Sequence, residues 1–187
     1  MRGVTSIGTC TLWTPRLCAL ISTPPAPAGL APSGGEEQDE ALGRSQGGFS
    51  TKLHLRAEGN GRPITAVLTG GERHEQIALK ALLDTGAIRR KGRGRPRLRP
   101  RRVAGDKGYS SPTARRRLRS RRITPVIPTK SDQRRLPGFD REAYRRRNLV
   151  ERLINRLKQF RRIATRYEKR AVNYLAMVTI GMIMLWL

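Results

Sequence analysis

The stretch YRRRNLVERLINRLKQFRRIATRY, Tyr144 to Tyr167, is dense with arginine and lysine and contains one acid, Glu151. At about 100° per residue, a helix here gathers Tyr144, Arg147, Glu151, Asn155 and Lys158 into a stripe of roughly 80°. Leu149, Val150, Leu153, Ile154, Leu157, Phe160 and Ala164 recur at the i, i+3, i+4 spacing of an amphipathic helix and centre on the far, core-facing side. Glu151 therefore looks away from the core, among cations. Two kinds of chemistry are open to such a carboxylate. It relieves charge repulsion by pairing with Arg147 and Asn155, at about 0.2 to 0.5 kcal/mol each, or it is a functional group tuned by its surroundings. The helix alone leaves both open.

The whole chain narrows the partner. Its 187 residues suffice for one ordinary domain, and 39 Lys plus Arg against 14 Asp plus Glu give a formal charge of +25. Such an excess points to a polyanion, because each neutralised phosphate releases counterions. DNA, RNA and an anionic membrane all fit that charge. The only cysteines are Cys10 and Cys18 and the only histidines His54 and His74, which excludes a disulfide framework and a Cys/His zinc cluster. A reducing cytoplasm suits this usage.

The elements that would position Glu151 follow from composition and periodicity. Met1 to Asp39 is rich in Pro, Gly, Ser and Thr and has no period of either kind, so it reads as disordered or misplaced sequence rather than a secretory signal. From Leu42 onward the signals are regular. Phe49–Leu55 and Ile64–Leu68 read as strands joined by the turn chemistry of AEGNGRP, which predicts a hairpin. His74–Leu83 reads as a helix, Arg102–Ala104 as a strand ending at Asp106, Ala114–Arg122 as a basic helix and Ile123–Ile127 as a strand. Helices follow from about Arg141 to Arg162 and from Lys169 onward. The order is that of a mixed α/β domain.

Three segments resemble the DDE transposases of bacterial insertion sequences, whose catalytic domain is ribonuclease-H-like. Tyr144, Arg147, Glu151 and Lys158 reproduce the spacing Y-x2-R-x3-E-x6-K around that family's catalytic glutamate. AGDKGYSS, Ala104–Ser111, is similar to the segment bearing its second aspartate, and ALGRSQGGFSTKLHL, Ala41–Leu55, to its hairpin strand. The resemblance covers about Gly34 to Leu187 and implies a ribonuclease-H-like mixed sheet flanked by helices. It implies Asp106 and Glu151 as catalytic metal ligands for Mg²⁺ or Mn²⁺, and Tyr144, Arg147 and Lys158 as DNA-binding residues. It also implies DNA as partner, both transposon ends and target, and leaves homo-oligomerisation open. Phosphoryl transfer by two metal ions needs hard oxygen ligands, with metals roughly 3.5 to 4 Å apart. Neighbouring arginines are expected to lower the carboxylate pKa values and keep both groups ionised.

The family needs three carboxylates, and its first lies on a strand before the hairpin, in a segment like V-D-S-T-V-V-R-A-H-Q-H. No such segment precedes Ala41. LWTPRLCALIST, Leu12–Thr23, occupies its place. Trp13 is encoded only by TGG and Thr14 begins AC, so the codon read one base before that of Thr14 is GAC, aspartate. The following junctions permit Ser, Thr, Val, Val, Arg, Ala, His, Gln and His. Residues 1–33 are therefore expected to be an unstructured or out-of-frame leader, and 34–187 a partial DDE catalytic domain. On this reading the central first strand is missing and strand transfer is lost, with Thr9–Trp13 as a candidate substitute strand. The usual amino-terminal end-binding module is not expected either.

Other signals are weaker. Arg93-Gly94-Arg95-Pro96 resembles the core of a minor-groove AT-hook, so Arg93, Arg95 and Arg97 join the candidate DNA-binding residues, although a basic loop tracking phosphates explains them as well. A non-enzymatic minor-groove binder is accordingly the competing class. Ala171–Leu187 is uncharged behind a basic flank, as in a tail anchor. At about 1.5 Å per residue it spans roughly 25 Å, short of a hydrocarbon core near 30 Å, so packing is expected and a membrane is not. His54 and His74 read as structural, as do Glu72 and Glu75 at the start of a helix.

Overall fold

A computed structural model describes residues 17–22, 26–27, 40–45, 48–88, 92–134 and 137–187. The organising strand is β4, Gly48–Glu58, which pairs with the short strands β2, Ala26–Pro27, and β3, Gly43–Ser45. On its flanks lie β5, Pro63–Gly70, antiparallel with Leu55 opposite Ala66, and β1, Leu17–Ser22, antiparallel with Ile21 opposite Leu55. Beyond β1 the sheet turns parallel, through β6, Arg102–Gly105, to β7, Thr124–Val126. The order β5-β4-β1-β6-β7, an antiparallel hairpin side followed by parallel strands, is the ribonuclease-H-like arrangement expected from the sequence.

One expectation is corrected. The central first strand is not missing, because β1 fills that position between β4 and β6. Its pairing joins backbone to backbone, so a run such as LCALIS, apolar except for Ser22, meets the demands of a strand inside a sheet without the family's own residues. The candidate substitute Thr9–Trp13 lies outside the described residues.

Strand alternation sends each face to a different core. Leu53, Leu55 and Ala57 of β4, with Ala104 and Val126, pack beneath α3, Arg141–Arg145, α4, Asn148–Lys158, α5, Arg161–Ala164, and α6, Ala171–Met184. Val103, with Ile64 and Val67, packs beneath α1, Gln76–Asp84, and α2, Pro112–Ser120. In α4 the buried residues are Val150, Leu153, Ile154 and Leu157, the stripe that the periodicity predicts. Each such burial contributes about 1.5 to 3 kcal/mol. The single helix expected from Arg141 to Arg162 is three helices. Phe160 takes an extended backbone, φ −76° and ψ 106°, and separates α4 from α5.

Two joints matter for the site. Gly61 in the hairpin turn has φ +83°, and a Cβ there would come within 3.0 Å of the Leu149 Cβ, so the turn is pressed against the start of α4. Arg166 is 2 % exposed and donates to the carbonyls of Glu40, Glu168 and Lys169 and to Thr51 Oγ1, which ties the approach to α6 onto β4. The segment expected to pack does so through Tyr174, Val178, Gly181 and Met182. Among the described residues no helix is long and apolar enough to cross a membrane.

Candidate functional site

Asp106 stands where β6 ends. Its carboxylate accepts a hydrogen bond from the Gly108 N–H at 3.0 Å and caps the 3-10 turn Lys107–Tyr109. A Cβ on Gly108 would lie 3.0 Å from Glu75 Oε2 and 3.1 Å from Asp106 Oδ1, so two carboxylates close around this glycine. Burial pushes the Asp106 carboxyl above its ordinary value, and Glu75 adds to the rise. The Gly108 and Tyr109 N–H groups and the Arg147 cation pull the other way without overcoming it. This corrects the expectation that arginines hold Asp106 well ionised, because removal from water outweighs one guanidinium.

The helical side is anchored by the same strand. Arg102 of β6 forms an ion pair with Asp140, and Asp140 accepts from the Ala143 N–H at 2.8 Å, capping α3. Tyr144 and Arg147 follow from that cap. The Arg147 guanidinium lies 5.3 Å from the Tyr144 ring centre, and its Nη2 donates to Glu151 Oε1 at 2.6 Å. That i, i+4 pair is the charge-relief contact foreseen for Glu151. Arg147 thus links both acids, bonded to Glu151 and acting on Asp106 through space.

The other candidates lie apart. Lys158 closes α4, seven positions from Glu151 or about 10 Å along the axis, and is exposed. Arg93 and Arg95 are exposed on a loop closed by backbone hydrogen bonds between Ile88 and Arg97. Arg97 is half-buried there.

Glu75, Lys52 and His54 form a neighbourhood beside Asp106, although the sequence pattern marks Glu75 and His54 only as structural. Burial alone would raise the Glu75 carboxyl. Its own backbone N–H, Lys52 at 3.1 Å and His74 outweigh that and hold it below its usual value. His54 is fully buried between Thr69 and Tyr109, and burial, with Lys52, lowers its pKa to about 4. No local signal marks these contacts, which join residues 15 to 55 positions apart.

As a metal centre the set is incomplete. Among the described residues no group of three or more His, Cys, Asp or Glu is arranged to hold an ion. The strand beside β6, where Leu20 is opposite Gly105, is LCALIS and has no acid to offer. The residues present therefore do not fit a two-metal site.

Comparison with known proteins gives this geometry its family. The chain is 37 % identical over 131 residues to a Burkholderia cepacia protein assigned as a transposase for insertion sequence element IS402, a match covering 70 % of this chain and 60 % of that one. It is 29 % identical over 143 residues to its counterpart for element IS6501 from Brucella ovis, covering 74 % of this chain and 99 % of the relative. The catalytic core domain of BIV integrase superposes with a TM-score of 0.47 at 13 % identity, covering 91 % of this chain and 82 % of that domain. The model of the transposase DDE domain matches residues 31–187, and the chain belongs to the DDE transposase family.

Proposed function

We propose that this chain is a DNA-binding, catalytically degenerate transposase domain of an insertion sequence. The observation that carries the reading is the contrast across two neighbouring strands. β6 ends in a half-buried carboxylate that shares Arg147 with Glu151, whereas β1 alongside it has no carboxylate in its sequence. The family generally depends on divalent metal. Asp106 and Glu151 supply hard oxygen ligands for one Mg²⁺ or Mn²⁺ ion, and Tyr144, Arg147 and Lys158 face the DNA strand. With the third ligand lacking, no strand-transfer step is assigned to this chain. The out-of-frame origin of residues 1–33 belongs to the same reading, and the family match begins at residue 31.

Titration calorimetry with Mn²⁺ on the full chain tests the site. Asp106→Asn and Glu151→Gln are each expected to abolish the binding heat while leaving duplex affinity in place. Metal binding that survives both substitutions removes the assignment and leaves a basic DNA-binding protein. Joining of labelled element ends by the purified chain in Mg²⁺ would refute degeneracy. The coding sequence tests the frame, since codons that do not give Asp-Ser/Thr-x-Val one base back end that part.

A further inference from the structure

We propose that a cleft between α2 and residues 128–134 binds a backbone phosphate of duplex DNA through Arg115, Arg116, Arg119 and Arg134. The proposal rests on the DNA-binding reading and adds a second contact point outside the Asp106 neighbourhood. Arg115 is 7 % exposed, and its Nη2 donates to Ser110 Oγ at 3.0 Å, Ile127 O at 3.0 Å and Pro128 O at 3.1 Å. Its Nη1 is buried and has no hydrogen-bond partner. All three acceptors are neutral, so a buried cation keeps both an unused donor and an unbalanced charge. Such a group is costly unless an anion completes it.

The lining supplies more cations, and the one acid of the 128–134 segment, the exposed Asp132, is not part of it. Arg116, Arg119 and Arg134 are exposed at the cleft, and none of the four arginines forms an ion pair among the described residues. No acid is found among the described residues lining the cleft. Burial, and then the Arg119 cation, push the Arg115 guanidinium below its usual pKa, the direction an unmet positive site takes. The cleft holds about 690 Å³, room for a phosphate with its sugar rather than for a bare ion. Guanidinium forks match phosphate oxygens bidentately, which favours this anion over a monodentate one.

The cleft is also mechanically joined to Asp106. Ser110 ends the turn that Asp106 caps, and its hydroxyl donates to Gln133 Oε1 at 2.7 Å. Gln133 lines the cleft and returns a bond to the Ser110 carbonyl at 3.1 Å. A phosphate seated there is therefore fixed relative to Asp106 by one turn and one side-chain bridge. It sets the path of the strand, and takes no part in bond making.

The test is fluorescence anisotropy of the full chain on a labelled duplex of about 20 base pairs, titrated with salt in EDTA. Arg116→Ala/Arg119→Ala/Arg134→Ala, all exposed positions, is compared with Arg152→Ala/Arg156→Ala/Lys169→Ala, which removes equal charge from the other side of the sheet. The first variant is expected to flatten the log affinity against log salt slope by about 1, at roughly 0.9 per lost phosphate contact, and the control by less than half as much. An unchanged slope in the first variant, or an equal loss in the control, overturns the site. Inorganic phosphate that raises the melting temperature and is not displaced by duplex marks a free-phosphate site, and overturns it as well. Wild-type chain that does not bind duplex would sink the DNA-binding reading itself, a separable result.

Discussion

His54 should make the domain acid-labile by an amount that the structure sets. The ring is fully buried on β4, facing Thr69 of β5 and Tyr109, with Lys52 and Glu75 close enough to act on it. Burial first, then the Lys52 cation, lower its pKa from 6.5 to about 4, against the opposing pull of Glu75. Between those values the unfolded chain binds a proton that the folded chain refuses, so stability falls as pH drops from 6.5 and the loss is complete below about 4. At about 1.36 kcal/mol per pH unit, this amounts to about 3 kcal/mol. Glu75, Asp84 and Asp140 have lowered carboxyl pKa values and Asp106 a raised one, so the raw pH profile mixes several groups. His54→Gln separates them, because glutamine still hydrogen-bonds and does not titrate. Urea unfolding of both proteins at a series of pH values should show the wild type losing about 3 kcal/mol more than the variant on acidification from 6.5 to 4. Parallel profiles, or an imidazole proton resonance titrating near 6.5 in the folded protein, would refute the reasoning.

Two further perturbations probe the joints that hold the site. Gly61→Ala places a methyl group 3.0 Å from the Leu149 Cβ at φ +83°, and should cost about 1 to 3 kcal/mol in urea unfolding. A neutral outcome would mean that the hairpin turn is not pressed on α4. Arg166→Met strips the hydrogen bonds from the carbonyls of Glu40, Glu168 and Lys169, and should cost about 3 to 5 kcal/mol in the same assay. A loss under about 1 kcal/mol would show that water reaches those carbonyls.

Much of the architecture can be read locally. The α4 stripe of Val150, Leu153, Ile154 and Leu157 lies within four turns of chain, and the hairpin is announced by alternation on both sides of AEGNGRP. Ser111-Pro112 marks the start of α2 two residues before the predicted Ala114, since Ser111 Oγ accepts from the Ala114 N–H. The contact of Arg147 with Glu151 is likewise local, one helical turn in length. The filling of the central position by Leu17–Ser22 is not, because strand pairing uses backbone groups that every residue carries and its partners lie in β4 and β6. The break at Phe160 also escapes a pattern that runs through it unchanged.

The amino-acid sequence by itself determined the family spacing of Tyr144, Arg147, Glu151 and Lys158, the strongly positive charge and the face on which Glu151 lies. Only the tertiary structure decided that Asp106 is pushed toward its protonated form, that Glu75 meets it around Gly108, and that Arg115 is buried without an anion. Periodicity is a property of neighbours in the chain. Burial and the field at a charged group are sums over atoms that only folding brings near.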